Sequence, residues 1–167
     1  MPESHFNLNY KLTGQGWATC EIELGDQRAT VTASYLSDAL GQLVTATLLL
    51  RQGAHISSAS FDEEPGEYRW VFDCYKSPSD ETSGIRVRIY EFEELWAHKP
   101  ASEGAKILDG VVQTEVFYRS MLDMIEEVIA EYGEEGYEDK WDGEESKFPT
   151  IVYNELTRLI DVWPGAM

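Results

Sequence analysis

Phe6, Leu8, Tyr10 and Leu12 alternate with Asn7, Asn9 and Lys11, a period of two that sets the apolar side chains on one face of an extended strand. Thr13-Gly14-Gln15-Gly16 breaks the alternation as a turn. Trp17 to Leu24 continues in extended style, with Ile22 and Leu24 on one parity. Gly25-Asp26 then fits a two-residue hairpin turn. It leads into Ala29-Thr30-Val31-Thr32-Ala33, where the β-branched residues favour a strand. The chain therefore opens with antiparallel hairpins.

The period changes after Ser34. Leu36, Leu40, Leu43, Val44, Thr47 and Leu50 recur at helical spacing. Ser37 and Asp38 supply a capping oxygen and a first-turn charge, and Gly53 stands where a left-handed terminator belongs. Ala39, Ala46, Leu48 and Leu49 are apolar too, so this helix should lie across a sheet with little face left to water. Ala54 to Phe61 and Tyr68 to Tyr75 read as strands, with Pro65-Gly66 placed at the centre of a type II turn. In the second of these, Tyr68, Trp70, Phe72 and Cys74 point one way, and Arg69, Val71, Asp73 and Tyr75 the other. Ile85 to Ile89 and Ile107 to Val112 complete the strands.

From Thr114, an N-cap, the apolar positions Phe117, Met121, Met124, Ile125, Val128 and Tyr132 predict an amphipathic helix that ends at Gly133. A helical turn around Tyr137 and Trp141 and a last helix after Phe148-Pro149-Thr150 follow. Strands, helix, strands, helices is the order of an α+β protein. The expectation is a single domain over residues 1–167, with a mainly antiparallel sheet of about six or seven strands packed against three or four helices.

Charge narrows the function. Thirteen Lys and Arg stand against 31 Asp and Glu, a formal charge of -18, and such a field repels nucleic acid and anionic membrane surfaces. The first residues, Met1-Pro2-Glu3-Ser4-His5-Phe6, carry no secretory pattern, so the chain reads as cytoplasmic. Cys20 and Cys74 lie too far apart for a metal motif and are expected as small buried hydrophobes. Gly14-Gln15-Gly16 joins two strands and is a turn. There is no phosphate-cradling Gly-x-x-x-x-Gly-Lys and no Gly-x-Ser-x-Gly elbow. His5, His55 and His98 are isolated from one another. No catalytic residue, metal or cofactor is assigned.

Two surfaces stay in play. Arg86 and Arg88 share a strand face, with Arg69 and Asp73 on a neighbouring strand. They make either a cross-strand ion-pair ladder or an anion pocket. The pocket reading, Arg69, Arg86 and Arg88 with His55 and Tyr75 nearby, would suit a small-molecule binder or an enzyme. The second surface is the window Glu126 to Glu145, where ten acids meet the single Lys140, net -9. There Glu131, Glu134, Glu135, Glu138, Asp139, Asp142, Glu144 and Glu145 surround Tyr137 and Trp141, a composition that suits aromatic anchors in a charged binding surface. Equally, Tyr137 and Trp141 stand four apart, the spacing of a helical turn stapled to the core. A third possibility is a homo-oligomer joined near Trp96 or Trp163.

Glu64-Pro65-Gly66-Glu67-Tyr68-Arg69-Trp70 and Gly136-Tyr137-Glu138-Asp139-Lys140-Trp141, with Phe148-Pro149 beyond, resemble patterns in small acidic bacterial proteins, some of them immunity proteins of polymorphic toxin systems. The resemblance implies action by binding and no catalytic residue. The leading expectation is a non-enzymatic protein that neutralises a basic toxin or nuclease domain through its acidic surface.

Overall fold

The structure, a computed structural model, describes residues 2–76, 83–96, 98–141 and 147–161. Strands β1 (Phe6–Gly14), β2 (Trp17–Leu24) and β3 (Gln27–Ser34) form one antiparallel sheet in that order. Helix α1 (Ala39–Arg51) leads to β4 (Ile56–Asp62), β5 (Glu67–Lys76), β6 (Ser83–Phe92) and β7 (Ala105–Gln113), an antiparallel meander that makes the second sheet. Helices α2 (Thr114–Trp141) and α3 (Thr150–Asp161) follow. The α+β class and the seven strands agree with the pattern, but the strands fall into two sheets rather than one. Between β3 and β4 the chain forms a buried helix, so these strands are not ladder neighbours.

Both sheets and all three helices feed one apolar cluster. Helix α1 packs against β4 on one side and α3 on another, while α2 lies beside β1. Asp38 caps α1, accepting the Gly41 N–H at 3.2 Å. The predicted stop at Gly133 is present: its φ of 69° interrupts the helical backbone, and a second helical segment runs on to Trp141. The Glu64–Pro65 peptide bond is cis, and Gly66 does not have the positive φ that a type II turn requires. The glycine is needed there for a different reason, because a Cβ would lie 2.2 Å from the Phe92 carbonyl oxygen. Cys20 is buried as expected, but Cys74 is exposed near the end of β5.

Side chains close several strand edges. On β1, Ser120 Oγ donates to the Phe6 carbonyl at 2.6 Å, and the Leu12 N–H donates to the Tyr132 hydroxyl at 3.0 Å. On β4, Gln42 Oε1 accepts from Ser60 N–H and Ser37 Oγ from Asp62 N–H. On β7, the Gln27 amide both donates to and accepts from the Asp109 backbone. Glu3 adds two backbone bonds to the same strand, at Val111 and Gln113. No helix among the described residues is long and apolar enough to cross a membrane.

Candidate functional site

The outer face of the second sheet carries the arginines considered for an anion pocket, and each already holds a carboxylate. Arg86 binds both oxygens of Asp109, at 3.0 and 2.9 Å, and Lys106 adds a bond to Asp109 at 2.8 Å. Arg88 pairs with Asp73. Arg69 forks onto Glu67 at 3.1 and 3.2 Å, donates to the Lys99 carbonyl at 2.7 Å and sits 4.5 Å from the centre of the Phe92 ring. The strand register explains the pairing. Arg86 stands directly opposite Asp73, and Arg88 opposite Asp109, yet each long side chain reaches the diagonal carboxylate. Bonding to Arg86, reinforced by Lys106, holds the Asp109 carboxyl down at about 2. Arg69, Arg86 and Arg88 thus hold intramolecular carboxylate partners, the arrangement of an ion-pair ladder. Val71, Tyr90 and Phe92 form a small apolar cluster on this face, so it is less wet than its alternation implies. His55 and Tyr75 are exposed.

In the acidic window the two aromatics do not reach the surface. Tyr137 and Trp141 are both 0% exposed, stacked on one another with ring centres 6.1 Å apart, and Phe148 meets Tyr137 edge-on at 5.6 Å. Burial pushes the Tyr137 hydroxyl well above the usual phenol range. They are core residues, and their assignment as partner-binding anchors is corrected. The staple spacing, i to i+4, was the signal for this.

The carboxylates around them are differently placed. Glu126, Glu127, Glu131, Glu134, Glu135 and Asp139 are exposed and Glu138 half-buried; Asp142, Glu144 and Glu145 lie outside the described residues. The ion pairs of the described residues draw on Glu23, Glu67, Asp73, Asp109, Glu115 and Glu155, and on none of this group. Lys140, the window's one cation, lies over the Tyr132 ring at 5.5 Å. Glu134 accepts a hydrogen bond from the Thr150 hydroxyl.

Helix α2 runs alongside β1, with Ser120 beside Phe6, Tyr132 beside Leu12, and the Lys140 carbonyl on the Gly16 N–H. Between them lies a groove of about 500 Å³, with Asn7, Asn9 and Lys11 on the strand side and Glu127, Ala130 and Glu131 on the helix side. Smaller hollows, of about 240 Å³ beside Glu91, Glu93, Glu94 and Glu103 and about 200 Å³ between α2 and α3, are also lined with carboxylates. No cluster of three or more His, Cys, Asp or Glu suited to a metal ion occurs among the described residues.

No protein-family model, curated protein or solved structure matches this chain.

Proposed function

We propose that this protein acts by binding a basic protein through the acidic flank of α2 and the groove that flank forms with β1. The observation that carries the reading is charge left unneutralised where it destabilises the fold. Glu127 and Glu131, Glu134 and Glu138, and Glu135 and Asp139 are like-charge pairs four apart within helical segments. Each such pair costs about 0.2–0.5 kcal/mol, so the three together cost roughly 1 kcal/mol. Glu131 sits in the last turn before Gly133, and Glu138 and Asp139 in the last turn before Trp141, where the backbone dipole disfavours negative charge. The arginines of the second sheet's outer face are paired there, Lys11 alone faces this flank across the groove, and none of the flank's acids takes part in an ion pair among the described residues. A field kept at such a cost suits electrostatic capture, which raises association rates by about 10- to 10³-fold. An immunity protein that must intercept a cationic toxin or nuclease domain needs that speed, and the resemblance drawn from the sequence points the same way.

The test combines Glu127→Gln, Glu131→Gln, Glu134→Gln, Glu135→Gln and Asp139→Asn in one variant. The variant should unfold at higher urea, reflecting a gain of about 1 kcal/mol. Affinity capture from cells with the parent should retain a cationic protein that moderate salt releases, and the variant should lose it. With that partner purified, association should slow at least about tenfold and lose most of its salt dependence. Equal association rates and equal salt slopes for parent and variant would sink the proposal.

A further inference from the structure

We infer that the open middle of the β1 edge, Leu8 and Tyr10, pairs with a short extended segment of the basic partner, laid into the groove beside α2 as one more strand of the first sheet. This inference rests on the acidic-flank reading above and adds the main-chain contact that seats the partner.

The strand register decides which backbone groups are free. The Gly25 N–H donates to the His5 carbonyl at 3.0 Å. In the antiparallel β1–β2 ladder, His5, Asn7, Asn9 and Lys11 therefore turn their N–H and C=O groups toward β2, and Phe6, Leu8, Tyr10 and Leu12 turn theirs away from it, toward α2. Ser120 takes the Phe6 carbonyl at 2.6 Å, and Tyr132 takes the Leu12 N–H at 3.0 Å. Between these two fastenings, no hydrogen bond among the described residues reaches the outward groups of Leu8 or Tyr10. The side chains of both residues belong to the apolar core, so it is their backbone that meets the groove.

Size and charge select the occupant. The groove's volume of about 500 Å³ falls within the range of about 300–1,000 Å³ usual for ligand sites. Glu127, Ala130 and Glu131 share one helix face, and alanine, with a single methyl, keeps that wall low. Because α2 is tied to β1 on both sides of the opening, the groove is formed before any partner arrives, which reduces the ordering cost of binding. A peptide main chain supplies the alternating N–H and C=O groups that Leu8 and Tyr10 lack. Its residue facing Asn9 carries its side chain on the same side of the sheet as Asn9. A Lys or Arg at that place answers Glu127 and Glu131 across the groove, against Lys11 alone on the strand side. A second copy of this chain is the wrong occupant, because it brings a further charge of -18 to the same acidic rim.

The probe is a short capped peptide that alternates threonine with lysine, added to the full chain at about 0.15 M salt, where the Debye length is roughly 8 Å. A second peptide of the same sequence carries an N-methyl group on every threonine, which keeps the charge and removes the N–H donors of one edge. The readouts are the dissociation constant and the Leu8 and Tyr10 amide resonances, followed by chemical shift and hydrogen exchange. In the free protein these two amides should exchange faster than those of Asn7 and Asn9, and the unmodified peptide should shift and protect them saturably. N-methylation should weaken binding at least about fivefold, the loss of two backbone hydrogen bonds. Ala130→Phe, at an exposed position, fills the groove without altering its charge; it should weaken the unmodified peptide as much and leave the urea midpoint unchanged. Suppose instead that the five-acid variant weakens the peptide, while N-methylation and Ala130→Phe do not and the two amides stay fixed. The strand pairing is then overturned and the acidic flank survives. Protection of those amides by rising protein concentration alone, with a dimer in sedimentation, overturns the choice of occupant. No saturable binding of the unmodified peptide also overturns the pairing, while equal association rates of parent and five-acid variant with the captured partner remain the result that overturns the flank.

Discussion

Replacing Trp141 by alanine separates a core residue from a surface anchor by magnitude alone. The indole is fully buried and stacked on Tyr137 with ring centres 6.1 Å apart, and Tyr137 in turn packs on Phe148. Truncating a buried aromatic of this kind costs about 3–5 kcal/mol, the transfer of the ring plus the cavity left behind. Unfolding entropy near Tm is roughly 2.1 cal/mol/K per residue, about 0.35 kcal/mol/K for a chain of this length. Tm should therefore fall by about 9–14 °C. Trp141→Phe keeps a ring against Tyr137 and should lose less than half as much. Calorimetry and urea unfolding followed by circular dichroism measure both variants. An exposed anchor would change stability by no more than about 0.5 kcal/mol. A Trp141→Ala protein that melts within about 2 °C of the parent would therefore refute the placement of this residue in the core.

Two further outcomes follow from single contacts. Gly66→Ala should destabilise by about 1–3 kcal/mol or more, because its new methyl would meet the Phe92 carbonyl oxygen at 2.2 Å, a backbone atom with no rotamer to yield; an unchanged urea midpoint would show that the β6 end relaxes freely. Asp109 has its native carboxyl held at about 2, chiefly by Arg86, below an unfolded value of about 3.9. The pairing therefore contributes fully above about pH 4 and is lost as the pH falls through about 2. Asp109→Asn should accordingly lower the urea midpoint at neutral pH, and its deficit should close between pH 4 and 2; a deficit independent of pH would contradict the assignment.

Local elements were legible because local physics sets them. The alternation from Phe6 to Leu12 and the break at Gly133 appear where the residue types demand, whereas the cap falls on Asp38 rather than Ser37, whose hydroxyl instead accepts from the Asp62 N–H. The division into two sheets was not legible, since pairing of distant strands depends on which edges α1 and Gln27 occupy. Tyr137 and Trp141 show the limit at the candidate site. Spacing places them on one helix face, but which way that face looks depends on Phe148 and on the β1–β2 turn docked at the helix end. The cross-strand alternative for the arginines was readable from parity, whereas the diagonal choice of partner was not.

The side chains that occupy the borders of β1, β4 and β7 bear on how this molecule behaves in a crowded cell. Mutual repulsion among acidic copies fades as salt rises, and a bare strand border could then template fibres. Ser120, Tyr132, Gln42 and Gln27 act as covers that do not depend on ionic strength. These positions therefore carry a solubility constraint separate from any partner.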